Sequence, residues 1–124
     1  MQNYNSKSKI DVKVICHKLS LRLIDFIEFL PRQKSCWIIA DQLLRAGTSI
    51  GANLVEAKSS SSRLEYKKFC EIALKSANET KYWLGLLRDS GKANKEKVNE
   101  LLKEVIQIAN ILASGIITLK RKKF

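Results

Sequence analysis

Hydrophobic residues recur every three or four positions through the first half of the chain, as they do in amphipathic α-helices. The first stripe predicts a helix from Lys9 to Leu30, and Pro31 ends it because a residue that precedes proline is displaced from the α-helical region. The second stripe predicts a helix from Ser35 to Lys58. Beside that stripe stand Gly47 and Gly51, and each mid-helix glycine costs about 1 kcal/mol relative to alanine. The pair therefore predicts the close approach of a neighbouring helix, and the small core residues of the third helix fit that role.

The second half of the chain continues the same pattern in two further helices. Ser62 and Glu65 form a capping box, S-x-x-E, in which the side chains satisfy backbone N–H groups at a helix start. The third helix is therefore predicted to begin after Ser62 and to end near Ser90, before Gly91. The fourth follows residue 95 and ends near residue 120. Four helices with short links predict an all-α, antiparallel up-down-up-down four-helix bundle over residues 9–120, with a flexible N-terminus at 1–8 and a basic C-terminal tail at 121–124.

Several large apolar residues fall outside the four core stripes. Leu64, Tyr82 and Leu86 lie roughly opposite the core stripe of the third helix, and Ile106 and Ile117 add to the excess in the fourth. An apolar surplus of this kind is typical of a surface that binds a partner, so we expect a homo-oligomer. The alternative is a bundle with a wide core and a few exposed apolar residues.

Five polar residues of the second helix keep the helical spacing directly beside its core stripe. They form either a solvated edge or a half-buried, hydrogen-bonded strip at a helix or subunit boundary, because polar groups beside a core are usually paired. We take this strip, with four residues of the third helix, as the candidate bundle or oligomer interface. Its residues are Gln42, Arg45, Ser49, Asn53 and Glu56, followed by Glu79, Tyr82, Trp83 and Leu86.

The formal net charge of +11 over 124 residues changes the picture of possible partners. Nucleic acid is the commonest partner for so basic a small protein, an anionic membrane surface comes second, and a merely solvated basic surface is the third reading. Three scattered cysteines without a C-x-x-C motif indicate reduced thiols and a cytoplasmic protein. The start of the chain has no apolar signal segment. The most apolar run, Val105 to Leu119, has about 15 residues, fewer than the ~20 that span a bilayer, so no membrane span is predicted.

Catalytic and metal-binding patterns do not stand out in this sequence. The single histidine, His17, follows Cys16 directly, and adjacent side chains on a helix do not face each other. No Glu-x-x-His pair, phosphate-binding loop or dinucleotide motif is present. We therefore predict a protein that is not an enzyme and that holds no metal or cofactor.

Within the second and third helices the sequence carries a combination of residues that extends from Asp41 to Gly91. It comprises Gln42, Leu43, Arg45, Ser49, Ile50, Asn53, Glu56 and Ala57, and then Ala73, Leu74, Ala77, Glu79, Thr80, Tyr82, Trp83, Leu84 and Leu87. With these residues the chain resembles the bacterial four-helix-bundle family of 23S rRNA intervening-sequence proteins. The resemblance implies an antiparallel bundle that assembles as a ring-like pentamer. A distant branch of the family, the accessory proteins of diversity-generating retroelements, binds a reverse transcriptase and nucleic acid. The family has no associated catalytic residues.

Charge and resemblance together predict a basic, oligomeric accessory protein that associates with nucleic acid, and with RNA in particular. The alternative is a scaffold that binds a reverse transcriptase or a ribosomal component and contacts nucleic acid little. The segment from Gly91 to Phe124 holds eight basic residues against three acidic ones, so the candidate phosphate contacts lie there. They are Lys92, Lys95, Lys97 and Lys103, with Lys120, Arg121, Lys122 and Lys123 in the tail.

Overall fold

A computed structural model describes residues 11–121, and within that range the chain is all-helical. The four helices are α1 (Val12–Ile27), α2 (Lys34–Lys58), α3 (Arg63–Asp89) and α4 (Lys95–Arg121). The number and type of the elements predicted from the hydrophobic pattern are therefore confirmed. The predicted flexible segment 1–8 and the tail residues Lys122 and Lys123 lie outside the described residues.

Helix α1 is shorter than the sequence pattern predicts. It begins after Asp11, whose side-chain carboxylate accepts a hydrogen bond of 3.0 Å from the backbone N–H of Lys13. It ends at Ile27, and the chain then tightens into a turn in which Phe29 N donates to Phe26 O at 3.2 Å. The prediction of a helix up to Leu30 was wrong because the constraint that Pro31 imposes reaches back over a full turn.

The ends of α3 follow the local chemistry of its caps. Ser62 Oγ accepts a hydrogen bond of 3.1 Å from Glu65 N, while Glu65 Oε1 accepts one of 2.6 Å from the N–H of Ser61, the residue before the cap. At the other end Gly91 has a φ of 75°, a conformation that glycine adopts without steric cost. There Lys92 N donates to Leu87 O at 3.1 Å, which completes a Schellman motif. This turn fixes the direction in which the chain enters α4.

Each helix packs against the next one along the chain, and α1 also packs against α4. The glycines of α2 allow the closest of these approaches. A Cβ atom at Gly47 would collide with Cδ1 of Leu23 on α1, and one at Gly51 would lie 3.2 Å from Cβ of Cys16. Helix α3 reaches this stripe only through Thr80, whose Cγ2 would lie 3.8 Å from a Cβ at Gly47. The expectation that the glycines face α3 was therefore wrong, because they make room for the large Leu23 side chain of α1.

Helix α4 is long and apolar enough to cross a bilayer by length and composition, with a mean hydropathy of 1.4 over its most apolar 18 residues. About a third of that stretch is buried inside the bundle, and core helices of soluble bundles meet the same criteria. The absence of a membrane span therefore stays a prediction. The buried residues of α4 are Val98, Leu101, Val105, Ile108, Ala109, Leu112 and Ile116.

Candidate nucleic-acid interface

An open groove of about 390 Å³ lies where the end of α1 meets the turn into α4. The buried side chains of Phe26 and Leu101 lie at its base. The tight turn after α1 contributes Phe29, and the Schellman turn after α3 contributes Lys92. Asn94 caps α4 by accepting a hydrogen bond of 2.9 Å from Lys97 N. The turn after α1, the Schellman turn after α3 and the N-cap of α4 thus bring together residues that are distant in the sequence.

Phe29 is the most prominent feature of the groove, because its side chain is 80 % exposed. The turn that ends α1 takes this residue off the helical period, so its ring does not enter the core. The Lys97 ammonium lies 5.4 Å from the centroid of the ring, which is the geometry of a cation–π contact. An aromatic face and a cation are therefore presented to solvent together.

The three cations of the groove differ in their partners. Arg22 forms an ion pair with Glu104 of α4, which neutralises its charge locally. Lys92 Nζ donates a hydrogen bond of 2.8 Å to the uncharged amide oxygen of Gln33. Neither Lys92 nor Lys97 forms an ion pair with any residue between 11 and 121. These two lysines therefore keep their full charge for an external anion.

Two carboxylates, Asp25 and Glu100, also line the groove. Neither forms an ion pair within the described part of the chain. The groove is consequently not a uniformly positive cleft. It combines an aromatic face, two available cations and two hydrogen-bond acceptors.

The candidate phosphate contacts do not form a single patch on the chain. Lys92 and Lys97 line the groove, while Lys95 is exposed beside it and Lys103 is exposed further along α4. Lys120 lies at the opposite end of α4, about 38 Å from Lys95 along the helix axis at a rise of about 1.5 Å per residue. It is exposed there next to Arg121, and Lys122 and Lys123 lie beyond the described residues. Sequence reasoning missed Arg22 and Phe29, and the only signal for Phe29 was its position outside the stripe just before Pro31.

The polar strip of α2 lies against α3 and is largely hydrogen-bonded within the chain. Arg45 Nη2 donates to Gln42 Oε1 at 2.9 Å and also pairs with Glu79 of α3. The indole N–H of Trp83 donates to the same Glu79 oxygen at 2.9 Å. The Trp83 bond, and after it the Arg45 guanidinium, lower the pKa of Glu79 below its ordinary value of 4.5 against the opposing effect of burial. Both partners thus stabilise the charged carboxylate.

The strip continues along α2 through smaller groups. Ser49 Oγ and Ser76 Oγ lie 2.6 Å apart across the two helices, and Asn53 Nδ2 donates to Ser49 O at 2.8 Å. Glu56 is exposed at the end of the strip. On α3, Tyr82 is 60 % exposed and meets Trp83 edge-on, with the ring centroids 5.2 Å apart, and Leu86 is also exposed. Whether this surface joins subunits stays a prediction.

The titratable groups that remain interact in pairs, as Tyr66 does with Cys70. Between residues 11 and 121, no three His, Cys, Asp or Glu side chains lie together as a metal ion would need. Cys16 is completely buried, and burial raises the pKa of its thiol to about 11, so the reactive thiolate is scarce at neutral pH. His17 beside it is exposed. The absence of enzymatic activity stays a prediction.

Known proteins with a similar sequence or structure complete the picture of this chain. The family model described as 23S rRNA-intervening sequence protein matches residues 8–114. Among the solved structures that match is the crystal structure, at 1.70 Å, of a protein of unknown function from the S23 ribosomal protein family of Bacteroides thetaiotaomicron. It is 35 % identical, covers 86 % of this chain and 98 % of its own, and superposes with a TM-score of 0.81. No curated protein matches the chain significantly.

Proposed function

This chain belongs to the family of 23S rRNA-intervening sequence proteins, and on that premise we propose that it is a non-enzymatic, cytoplasmic accessory protein that binds RNA. The observation that carries the proposal is the pair of cations in the groove, Lys92 and Lys97, which have no carboxylate partner among residues 11–121. Lysines in this state replace the counterions of a phosphate backbone, which supplies most of the affinity of non-specific binding.

The overall charge supports the same proposal. A formal charge of +11 produces a field that attracts polyanions over distances beyond direct contact. Lys120 and Arg121 at the far end of α4 offer a second set of cations, so one RNA strand contacts two ends of the bundle, or two strands contact one end each. Contacts of this type give affinity with little sequence preference.

We further propose that the helices run in an antiparallel up-down-up-down order and that the bundle assembles as a ring-like homopentamer. Two observations support the antiparallel order of α2 and α3, since Arg45 meets Glu79 while Ser49, one turn later, meets the earlier residue Ser76. The pentamer rests on the family resemblance and on the apolar side chains that the single chain leaves exposed. The exposed apolar side chains include Leu21, Ile24, Trp37, Val55, Leu64 and Tyr82. Native mass spectrometry gives the subunit number directly.

The test of the proposed function is a titration of the nuclease-treated native protein against labelled structured RNA and matched duplex DNA at several salt concentrations. We expect tighter binding to RNA, with an affinity that falls steeply as salt rises because counterions are released on binding. Weak binding to both ligands at low salt, with the oligomer intact, would contradict the proposal and leave the charge as a determinant of solubility.

A second candidate function, a scaffold for a reverse transcriptase or a ribosomal component, is favoured by one observation. Tyr82 is 60 % exposed beside the hydrogen-bonded Trp83, and exposed aromatic residues on a rigid helix are frequent anchors of protein interfaces. A partner that is captured after nuclease treatment and lost in the Tyr82→Ser variant supports the scaffold. Capture that nuclease abolishes supports RNA binding instead.

A further inference from the structure

We propose that the groove between α1 and α4 holds one unpaired RNA base stacked on Phe29, with the flanking phosphates at Lys92 and Lys97. The inference rests on the proposed function and deepens it, because it names the form of RNA that this site accepts. A base buried in a duplex cannot place its face on a protein ring, whereas a base in a loop, bulge or single strand can. The site is therefore selective for unpaired RNA.

The first step of the argument is the exposure of the aromatic ring. Phe29 is 80 % exposed although an apolar wall formed by Phe26, Leu30 and Leu101 stands next to it. A ring that a backbone turn presents to solvent beside a cation is available as a flat stacking platform. Aromatic platforms of this type bind successive nucleic-acid bases with little regard to their identity.

The second step is the size of the space in front of the ring. The groove measures about 390 Å³, near the lower end of the range of about 300 to 1,000 Å³ that is typical of small-ligand sites. A single nucleoside fits such a volume, whereas a double helix is far too wide to enter. The volume thus agrees with one base and not with a groove for duplex.

The third step is the position of the charges around the ring. Lys97 Nζ lies 5.4 Å from the ring centroid, and Lys92 is held at the rim by its 2.8 Å hydrogen bond to Gln33. A base on the ring brings its own phosphate groups toward these two cations. Arg22 is occupied by Glu104 and contributes less.

The fourth step concerns Asp25 and Glu100, which would repel a phosphate placed directly over them. Both line the groove, and a carboxylate can only accept hydrogen bonds, so they suit the N–H groups on the edge of a base and not its backbone. Carboxylates accept hydrogen bonds from the exocyclic amino group of cytosine, which uracil lacks. We therefore expect cytosine to be preferred over uracil at this position.

The experiment uses the full-length native oligomer and labelled single-stranded oligocytidylate and oligouridylate of about 12 nucleotides, a length that covers known single-strand sites. A matched RNA duplex serves as the third ligand. Phe29→Ala removes the platform, and Phe29→Trp retains it with a larger ring. Ile72→Ala is the control variant, since Ile72 is 42 % exposed on α3 and lies outside the groove.

We expect Phe29→Ala to weaken binding of the oligocytidylate about tenfold, the loss expected for one stacked base, and to leave duplex binding unchanged. Phe29→Trp keeps or raises the affinity, Ile72→Ala has no effect, and oligocytidylate binds more tightly than oligouridylate. Equal affinity of Phe29→Ala and the native protein for single strands, while both bind RNA, overturns this inference but not the proposed function. Failure of the native protein to bind any RNA overturns both.

Two further outcomes overturn the inference in specific ways. A change of oligomer mass in Phe29→Ala, measured by native mass spectrometry, assigns the ring to a contact between copies of the chain and not to RNA. Equal binding of the two oligonucleotides overturns the role given to Asp25 and Glu100. Circular dichroism of each variant verifies that the helices are retained, so that a loss of affinity is read as a loss of contact.

Discussion

The groove and the polar strip are built from the same kinds of side chain, yet their chemistry differs. Each contains at least one cation, at least one large aromatic residue and carboxylates. In the strip, Arg45 and Trp83 both bond to Glu79, so cation, ring and carboxylate satisfy one another. In the groove, the Lys97 ammonium lies over the Phe29 ring and forms no ion pair with residues 11–121, and the ring itself is 80 % exposed. In the strip the side chains bond to one another, whereas in the groove the lysines and the aromatic ring remain available to an external partner.

The difference teaches that residue type is a poor guide to binding unless the partners are known. Basic and aromatic residues occur in both regions, and sequence alone made the strip a candidate interface and the lysines candidate phosphate contacts. A group that is already hydrogen-bonded must lose that bond before it binds anything else, which costs free energy. Two variants measure how much the packing near the strip and the bonds within it contribute to stability. A salt titration measures whether the groove binds phosphates.

The largest effect is expected at Gly47, where α2 approaches its neighbours most closely. Gly47→Ala places a methyl group against the completely buried Leu23 side chain, and overpacking of a core costs typically 1–3 kcal/mol. The better helix propensity of alanine offsets about 1 kcal/mol of that. We expect a net fall of up to about 2 kcal/mol in the free energy of unfolding, measured by urea denaturation.

Gly85→Ala is the matched control for this experiment. A Cβ atom at Gly85 meets nothing within 4 Å, so the same substitution in α3 should raise stability by about 0.5–1 kcal/mol through helix propensity alone. If Gly47→Ala stabilises the protein as Gly85→Ala does, the core around Leu23 is looser than described.

A smaller effect is expected at Glu79, the centre of the closed strip. Glu79→Gln removes the charge that Arg45 and Trp83 stabilise, but the Glu79 side chain is 35 % exposed. Solvent screening therefore limits the loss to about 1 kcal/mol at pH 7. Because the pKa of Glu79 is lower in the folded state than its ordinary value of 4.5, this contribution is present above that value. It disappears as the pH falls through the folded-state pKa.

The Glu79 experiment also separates the two regions. Chemical denaturation at pH 7 and at a pH well below 4.5 measures the stability difference, and RNA affinity is measured on the same variant. Glu71→Gln is the control, since it removes only the pair between Lys67 and Glu71 on the surface of α3. An appreciable loss of RNA affinity in Glu79→Gln would place the RNA on the strip and contradict the comparison made above.

Much of the fold followed from the sequence because helical periodicity is a strong signal. The prediction for α2 was one residue late at its start, since the helix begins at Lys34, and the capping box at Ser62 located the start of α3. The predicted C-terminal boundary of α1 was wrong because the effect of Pro31 extends over a whole turn. The hydrophobic stripe alone does not show that effect. The predicted packing partner of Gly47 was also wrong. Periodicity shows which face of a helix carries small side chains but not which helix packs against that face.

The groove was predictable only in part, for a related reason. The charge count drew attention to Lys92 and Lys97, but also to Lys120, which lies at the other end of α4. Arg22 lies on α1 and Phe29 in the turn that follows it, and both join the lysines only through the packing of α1 against α4. Arg22 differs from the two lysines because it forms an ion pair. Ion pairing depends on three-dimensional contacts, which a count of charges does not reveal.

The most direct test of the central claim, that the groove contacts RNA phosphates, is the dependence of RNA affinity on salt in Lys92→Gln/Lys97→Gln. Lys68→Gln/Lys75→Gln on the exposed surface of α3 is the control that loses the same net charge. Each phosphate contact contributes about 0.7 to the slope of log affinity against log salt for single strands. We predict that the groove variant has a slope shallower by about 1.4 and that the control keeps the native slope. Equal slopes in the two variants would contradict the account, because the charge would then act as a whole and not through the groove.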